Sequence, residues 1–152
     1  MNFGSPINLA TEDFKDWNFV FVGFYPWFLN KSANKGFVKG SDIIVYFKNL
    51  MGMNPACVQV PLHDNPFNRS KSNIAYIEAS YFGAVSIVPE WWEVPGALKY
   101  TDPQSYYECL KAVCSGDVDI NANNRMAWEY IREELFLSEV NKLRIEIINS
   151  LT

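Results

Sequence analysis

The sequence predicts an α/β domain: a single Rossmann-like unit with a mostly parallel sheet of about four or five strands and a helical C-terminal tail. Three observations predict it. Short β-branched and aromatic runs alternate with stretches of helical period. Two of those runs, "ACVQVPL" and "AVSIV", flank a helix-length segment, which is the spacing of a βαβ unit and implies parallel pairing and a right-handed crossover. The last 30 or so residues have only helical period. With 152 residues, 49% of them apolar, the chain suffices for one domain with a core but not for two.

Taken in order, residues 1–16 are mixed and polar and read as an N-terminal arm, with residues 17–152 as the Rossmann-like domain. "WNFVFVGFYP" is a buried strand closing on Gly23 and Pro26. "LNKSANKGFVKG" is loop, with a short extended piece at Gly36–Val38. Ser41 is positioned to cap a helix through "DIIVYFKNLMGM", ended by Gly52, Asn54 and Pro55. After the strand "ACVQVPL" comes the turn "HDNPFNRS", and Ser70 or Ser72 then opens a helix that stops near Phe82 and Gly83. "AVSIV" and "GALKY" are strands. Asp102 and Pro103 start a helix with Tyr106, Leu110 and Val113 on its inner face, ending at Gly116. The tail places Trp128, Ile131 and Leu135 on one helical face, then Val140, Leu143, Ile147 and Leu151 on another, with Ser138 as the second cap.

Composition narrows the function classes. Net charge is −4 and the basic residues form no stripe, so nucleic acid is not an expected partner. Cys57, Cys109 and Cys114 have no metal-type spacing with the single histidine, His63, and read as reduced thiols packed in a core. No metal site is expected. The N-terminus lacks a signal-peptide pattern, and no apolar run approaches the roughly 20 residues that span a bilayer, so a cytoplasmic protein is expected. There is no G-x-S-x-G elbow, Cys-His pattern, Walker motif or acidic metal cluster, and no catalytic residue is assigned.

The informative stretch is "FNRSKSNIAYIEASYFGAVSIVPEWWEVPGALKY". In open parallel sheets ligands collect where loops leave the carboxyl ends of strands and helices begin. The segment Asn68, Arg69, Lys71, Ser72 is at such a place, and free backbone N–H groups with flanking cations suit a phosphate or diphosphate. Glu78 is seven positions beyond Lys71, roughly 10 Å along a helix axis. That matches the separation of a diphosphate from the ribose of one nucleotide, and a carboxylate suits a vicinal diol. Two plainer readings stand beside these: Glu78 as a solvent-facing or ion-paired carboxylate, and Lys71–Ser72 as an ordinary capped helix start.

The run from Val60 to Pro89 resembles the C-terminal, nucleotide-sugar-binding half of GT-B-fold glycosyltransferases of the family 1 and family 4 type. Pro61, Leu62, Phe67, Asn68, Lys71, Ser72, Glu78 and Gly83 carry the likeness, in the order "PL", "FN", "KS", "E", "G". "PGALKYTDPQSYYECLKAV" is similar to the next loop, strand and helix, and the tail to the C-terminal helices; the likeness is close over Val60–Val113 and looser over Trp17–Leu151. The resemblance implies a nucleotide-diphosphate sugar as donor substrate, with Glu78 on its ribose, and Lys71, Ser72 and the helix start facing the diphosphate or sugar. It implies transfer to an acceptor hydroxyl, with no tightly bound cofactor and with an acceptor-binding domain or partner chain outside this sequence. Many retaining relatives carry a second glutamate eight positions before the first; Ser70 stands there in this chain.

The alternative, from a different class, is a non-catalytic scaffold or assembly module that kept the fold. Its contact surface would be the aromatic loops, Tyr25–Trp27–Phe28 and Trp91–Trp92. Trp91 or Trp92 could instead stack on a base or sugar, or plug the core. His63 reads as a polar turn residue, or as a base if an acceptor hydroxyl can reach it.

Overall fold

A computed structural model describes residues 3–27, 29 and 34–150. Residues Gly4–Asp13 form helix α1, and Phe3, Ile7 and Ala10, spaced three and four apart, are buried in the main core. The lead-in expected to be an irregular arm is therefore a packed helix. Its short apolar stripe is hidden in sequence by the polar residues around it.

Strand β1 (Phe19–Gly23) pairs in parallel with β2 (Lys35–Lys39), Phe19 opposite Lys35 and Gly23 opposite Lys39. Helix α2 spans Ile43–Met53. Its cap is Asp42 and not Ser41: Asp42 is extended, and its carboxylate accepts from Ile44 N at 3.0 Å and Val45 N at 3.1 Å. Asn54, at φ +46°, ends the helix in the left-handed conformation. Strand β3 (Cys57–Gln59) precedes a one-turn helix α3 (Pro66–Arg69) and helix α4 (Ile74–Tyr81). Strands β4 (Val85–Pro89) and β5 (Leu98–Tyr100) follow, then helices α5 (Pro103–Cys114) and α6 (Ile120–Tyr130). A π-helical turn (Ile131–Leu135) joins α6 to α7 (Leu137–Ser150).

The protein is thus α/β, and the strand pairing among the described residues is parallel, as the βαβ spacing requires. The strands fall into two sheets, a pair β1-β2 and a triplet β3-β4-β5, in place of one sheet. β4 lies at the centre of the triplet with all five residues buried. Its side chains alternate: Val85 and Ile87 face a core shared with α1 and α5, and Val88 faces a second core with Tyr76 of α4 and Ala127 of α6. Helices therefore cover both faces of the triplet, the layering expected of a parallel sheet.

α5 is built as its sequence implies. Asp102 accepts from Gln104 N and Ser105 N in a capping box, Pro103 takes the first helical position, and Tyr106, Leu110 and Val113 are buried. The tail begins earlier than expected, at Ile120 under an Asp119 cap. Ile131 is buried and Leu135 packs on the second core, while Trp128 stays at the surface, edge-to-face with Phe136 at 5.9 Å. Ser138 lies inside α7 instead of capping it, since Glu139 N and Val140 N both donate to Phe136 O. Val140 is half-buried; the side chains of Leu143 and Ile147, and Leu151 and Phe28 entirely, lie outside what is described.

Candidate functional site

The region singled out in the sequence is assembled from the exit of β3 to the end of α4. Val60 N extends the ladder to Ile87 O at 3.0 Å. Beyond it the chain is held by Tyr100, a buried phenol on β5. Its hydroxyl accepts from Leu62 N at 2.7 Å and donates to Val60 O at 2.7 Å. Burial pushes the Tyr100 phenol up to about 12, so it is a neutral donor and acceptor at any ordinary pH.

The turn that follows is tied down by asparagines. Asn65 Oδ1 accepts from Asn68 N at 2.8 Å and caps α3, while Asn68, buried, donates its side-chain amide to His63 O at 2.9 Å. Asn68 thus braces the loop. Ser70 Oγ donates back to Phe67 O at 2.8 Å and ends α3. α4 begins only at Ile74, after Asn73, with no side-chain cap. The expected Ser70 or Ser72 cap is overridden because the first turn after Pro66 closes on itself and consumes Ser70 locally.

The other expected site residues divide into two groups. Arg69, Lys71 and Ser72 are exposed at the approach to α4. Arg69 Nη2 donates to Asp64 Oδ2 at 2.8 Å, and its guanidinium lies 5.6 Å from the Trp91 ring centroid. The Asp64 carboxyl is held below its usual range by that hydrogen bond. Lys71 Nζ is 5.1 Å from the Phe67 ring. Glu78 is elsewhere. It is half-buried on α4, and its carboxylate accepts from the Tyr46 hydroxyl of α2 at 2.8 Å. Burial, and secondly the bond to Glu78, pushes the Tyr46 phenol up to about 12.

Glu78 and Tyr46 lie on the wall of a cleft of about 1110 Å³ between β1 and β3. Phe19–Val22 line one side, Ala56–Gln59 the other, and Ala75 and Pro61 also line it. Asn68, Arg69, Lys71 and Ser72 are outside its walls. Deeper in the cleft, Tyr106 donates to Gln59 Oε1. Tyr46 and Gln59 were not singled out in the sequence. The available signal for Tyr46 was one polar tip in the otherwise apolar run Ile43–Phe47, and a phenol there reads equally as packing.

The remaining aromatic candidates resolve unequally. Trp92 is 7% exposed and plugs the second core, and Trp91 is half-buried under Arg69, so its outer face is already occupied. Both indole N–H groups are buried without a hydrogen-bond partner. Tyr25 packs edge-on to Phe21 at 5.1 Å, while Trp27 is 88% exposed. His63 is exposed with its ring 5.3 Å from that of Phe3. The three cysteines are free thiols, and Cys114 is pushed up to about 11 by burial. Among the described residues no cluster of three or more histidine, cysteine, aspartate or glutamate side chains could hold a metal ion. No described helix is long and apolar enough to cross a membrane.

No family model matches the chain, and neither curated proteins nor solved structures contain a match to it. The class these observations define is an α/β protein with parallel sheets and a half-buried carboxylate in a cleft.

Proposed function

We propose that the chain is the donor-binding half of a GT-B-like glycosyltransferase, a Rossmann-like domain that holds a nucleotide-diphosphate sugar for transfer to an acceptor hydroxyl. The observation that carries this reading is Glu78. A half-buried carboxylate on a cleft wall, hydrogen-bonded to a single phenol, keeps lone pairs available for a diol. Its helix begins beside Lys71, Ser72 and the uncapped N–H groups that follow Asn73, which suits a diphosphate. Arg69 joins them if it exchanges Asp64 for a phosphate, a trade between two exposed partners that costs little. The chemistry asked of this half is electrostatic: a cation and helix N–H groups stabilise the departing diphosphate.

Calorimetric titration with UDP, GDP, ADP and their common sugar conjugates tests the proposal. Saturable binding to one nucleotide family is expected, weakened at least about 50-fold in Glu78→Ala, as for a lost charged hydrogen-bond pair. Equal affinity of the variant removes Glu78 from the site, and no binding by folded protein removes the proposal.

The scaffold reading is favoured by a different observation. Ile43, Ile44 and Met51 of α2 are largely exposed, and so, separately, is Trp27; apolar side chains of this kind contact partners. It becomes the better account if no nucleotide binds.

A further inference from the structure

We propose that the two sheets are the halves of one five-stranded parallel sheet, ordered β2-β1-β3-β4-β5, and that the cleft between β1 and β3 closes by pairing their facing edges. Among the described residues β1 pairs only with β2 and β3 only with β4, and the two strands line one cleft, each with an edge of N–H and C=O groups not paired to another strand. Backbone groups inside a domain are rarely left in that state, and a strand pair alone is marginal in water.

The halves are already held edge to edge by contacts in both helical layers. In the α1/α5 layer, Trp17 Nε1 donates to Cys114 O at 3.0 Å, the Asn34 amide donates to Thr11 O at 3.0 Å, and Lys35 Nζ donates to Asn8 Oδ1 at 3.0 Å. Phe19 of β1 is buried in the same core as Val85 and Ile87 of β4. In the other layer the Tyr46–Glu78 bond and the Phe47–Phe82 ring contact at 5.8 Å join α2 to α4. What the cleft keeps apart is apolar. Val20 and Val22, 40% and 36% exposed, line it, as do Leu50 and Met53 of α2. Closure buries these surfaces against the opposite wall without any outside partner. Closure needs no ligand but acts on the cleft whose wall carries Glu78, so the two proposals are read separately: hydrogen exchange reports closure, and the nucleotide titration reports binding.

Residue-resolved hydrogen exchange on the ligand-free chain tests it. In a parallel ladder successive residues direct their N–H groups to opposite neighbours. A closed sheet protects every amide from Val20 to Gly23 and both Val58 and Gln59, at least about a hundredfold over free chain. An open cleft protects alternate amides only, those bonded to β2 and β4, and leaves the rest at the free-chain rate; that alternation overturns the proposal. Val22→Lys gives a second reading. A lysine there lowers the thermal midpoint if the cleft closes over it, and an unchanged midpoint with alternating protection rejects closure.

Discussion

Gly96 shows how a single missing methyl group holds two elements together. It sits at φ +68°, and a Cβ there would lie 2.2 Å from Asn123 O and 2.7 Å from Ala127 N, both backbone atoms of α6. Gly96→Ala is expected to cost more than about 3 kcal/mol, from strain plus a clash that only helix displacement relieves, read as a lowered urea midpoint. Tyr100→Phe removes the partner of Leu62 N and Val60 O and is expected to cost about 1–3 kcal/mol. In sequence Gly96 is the first residue of the expected strand "GALKY" and Tyr100 its last. Their partners are remote along the chain, so neither role was legible locally.

Among elements, α2 is the most weakly anchored described helix in the cleft region. It has a cap with two hydrogen bonds but buries only Leu50. Helices owe most of their stability to packing, so α2 should open locally. Asp42→Ala is expected to raise exchange of the α2 amides about fivefold, for a cap worth about 1 kcal/mol, with little change in the global unfolding midpoint. The helices of this protein were legible wherever cap and apolar period agreed, as in α5. They were misread where a polar residue had a nearer use: Ser70 closes α3, Asp42 displaces Ser41, and the stripe Phe3–Ile7–Ala10 was too short to stand out. The parallel pairing of β3 and β4 followed from their spacing; the interruption between β1 and β3 did not, because strand adjacency is a property of the assembled sheet.

Across the whole molecule, buried phenols set a limit in alkali. Burial raises Tyr76, Tyr100 and Tyr106 above the usual value near 10. A raised phenol binds its proton more tightly in the folded state. Stability is therefore full below about pH 10 and falls as pH rises toward the folded values. Phenolate absorbance from these three should appear together with loss of circular dichroism above about pH 10; ionisation in a still-folded chain would contradict their burial. Of the candidate site, Glu78 and its helix were legible as a carboxylate among apolar neighbours. Its link to Tyr46 was not, since it joins helices 32 residues apart.

The Tyr100 clasp also imposes an order on biosynthesis. The chain emerges from its N-terminus, so the loop Val60–Arg69 is made well before the residue that fastens it. Until Tyr100 has emerged and β5 has docked beside β4, Leu62 N and Val60 O lack the hydroxyl that fixes them. A nascent chain stalled before residue 100 should leave that loop open to proteases, and one released just beyond the end of α5 should protect it.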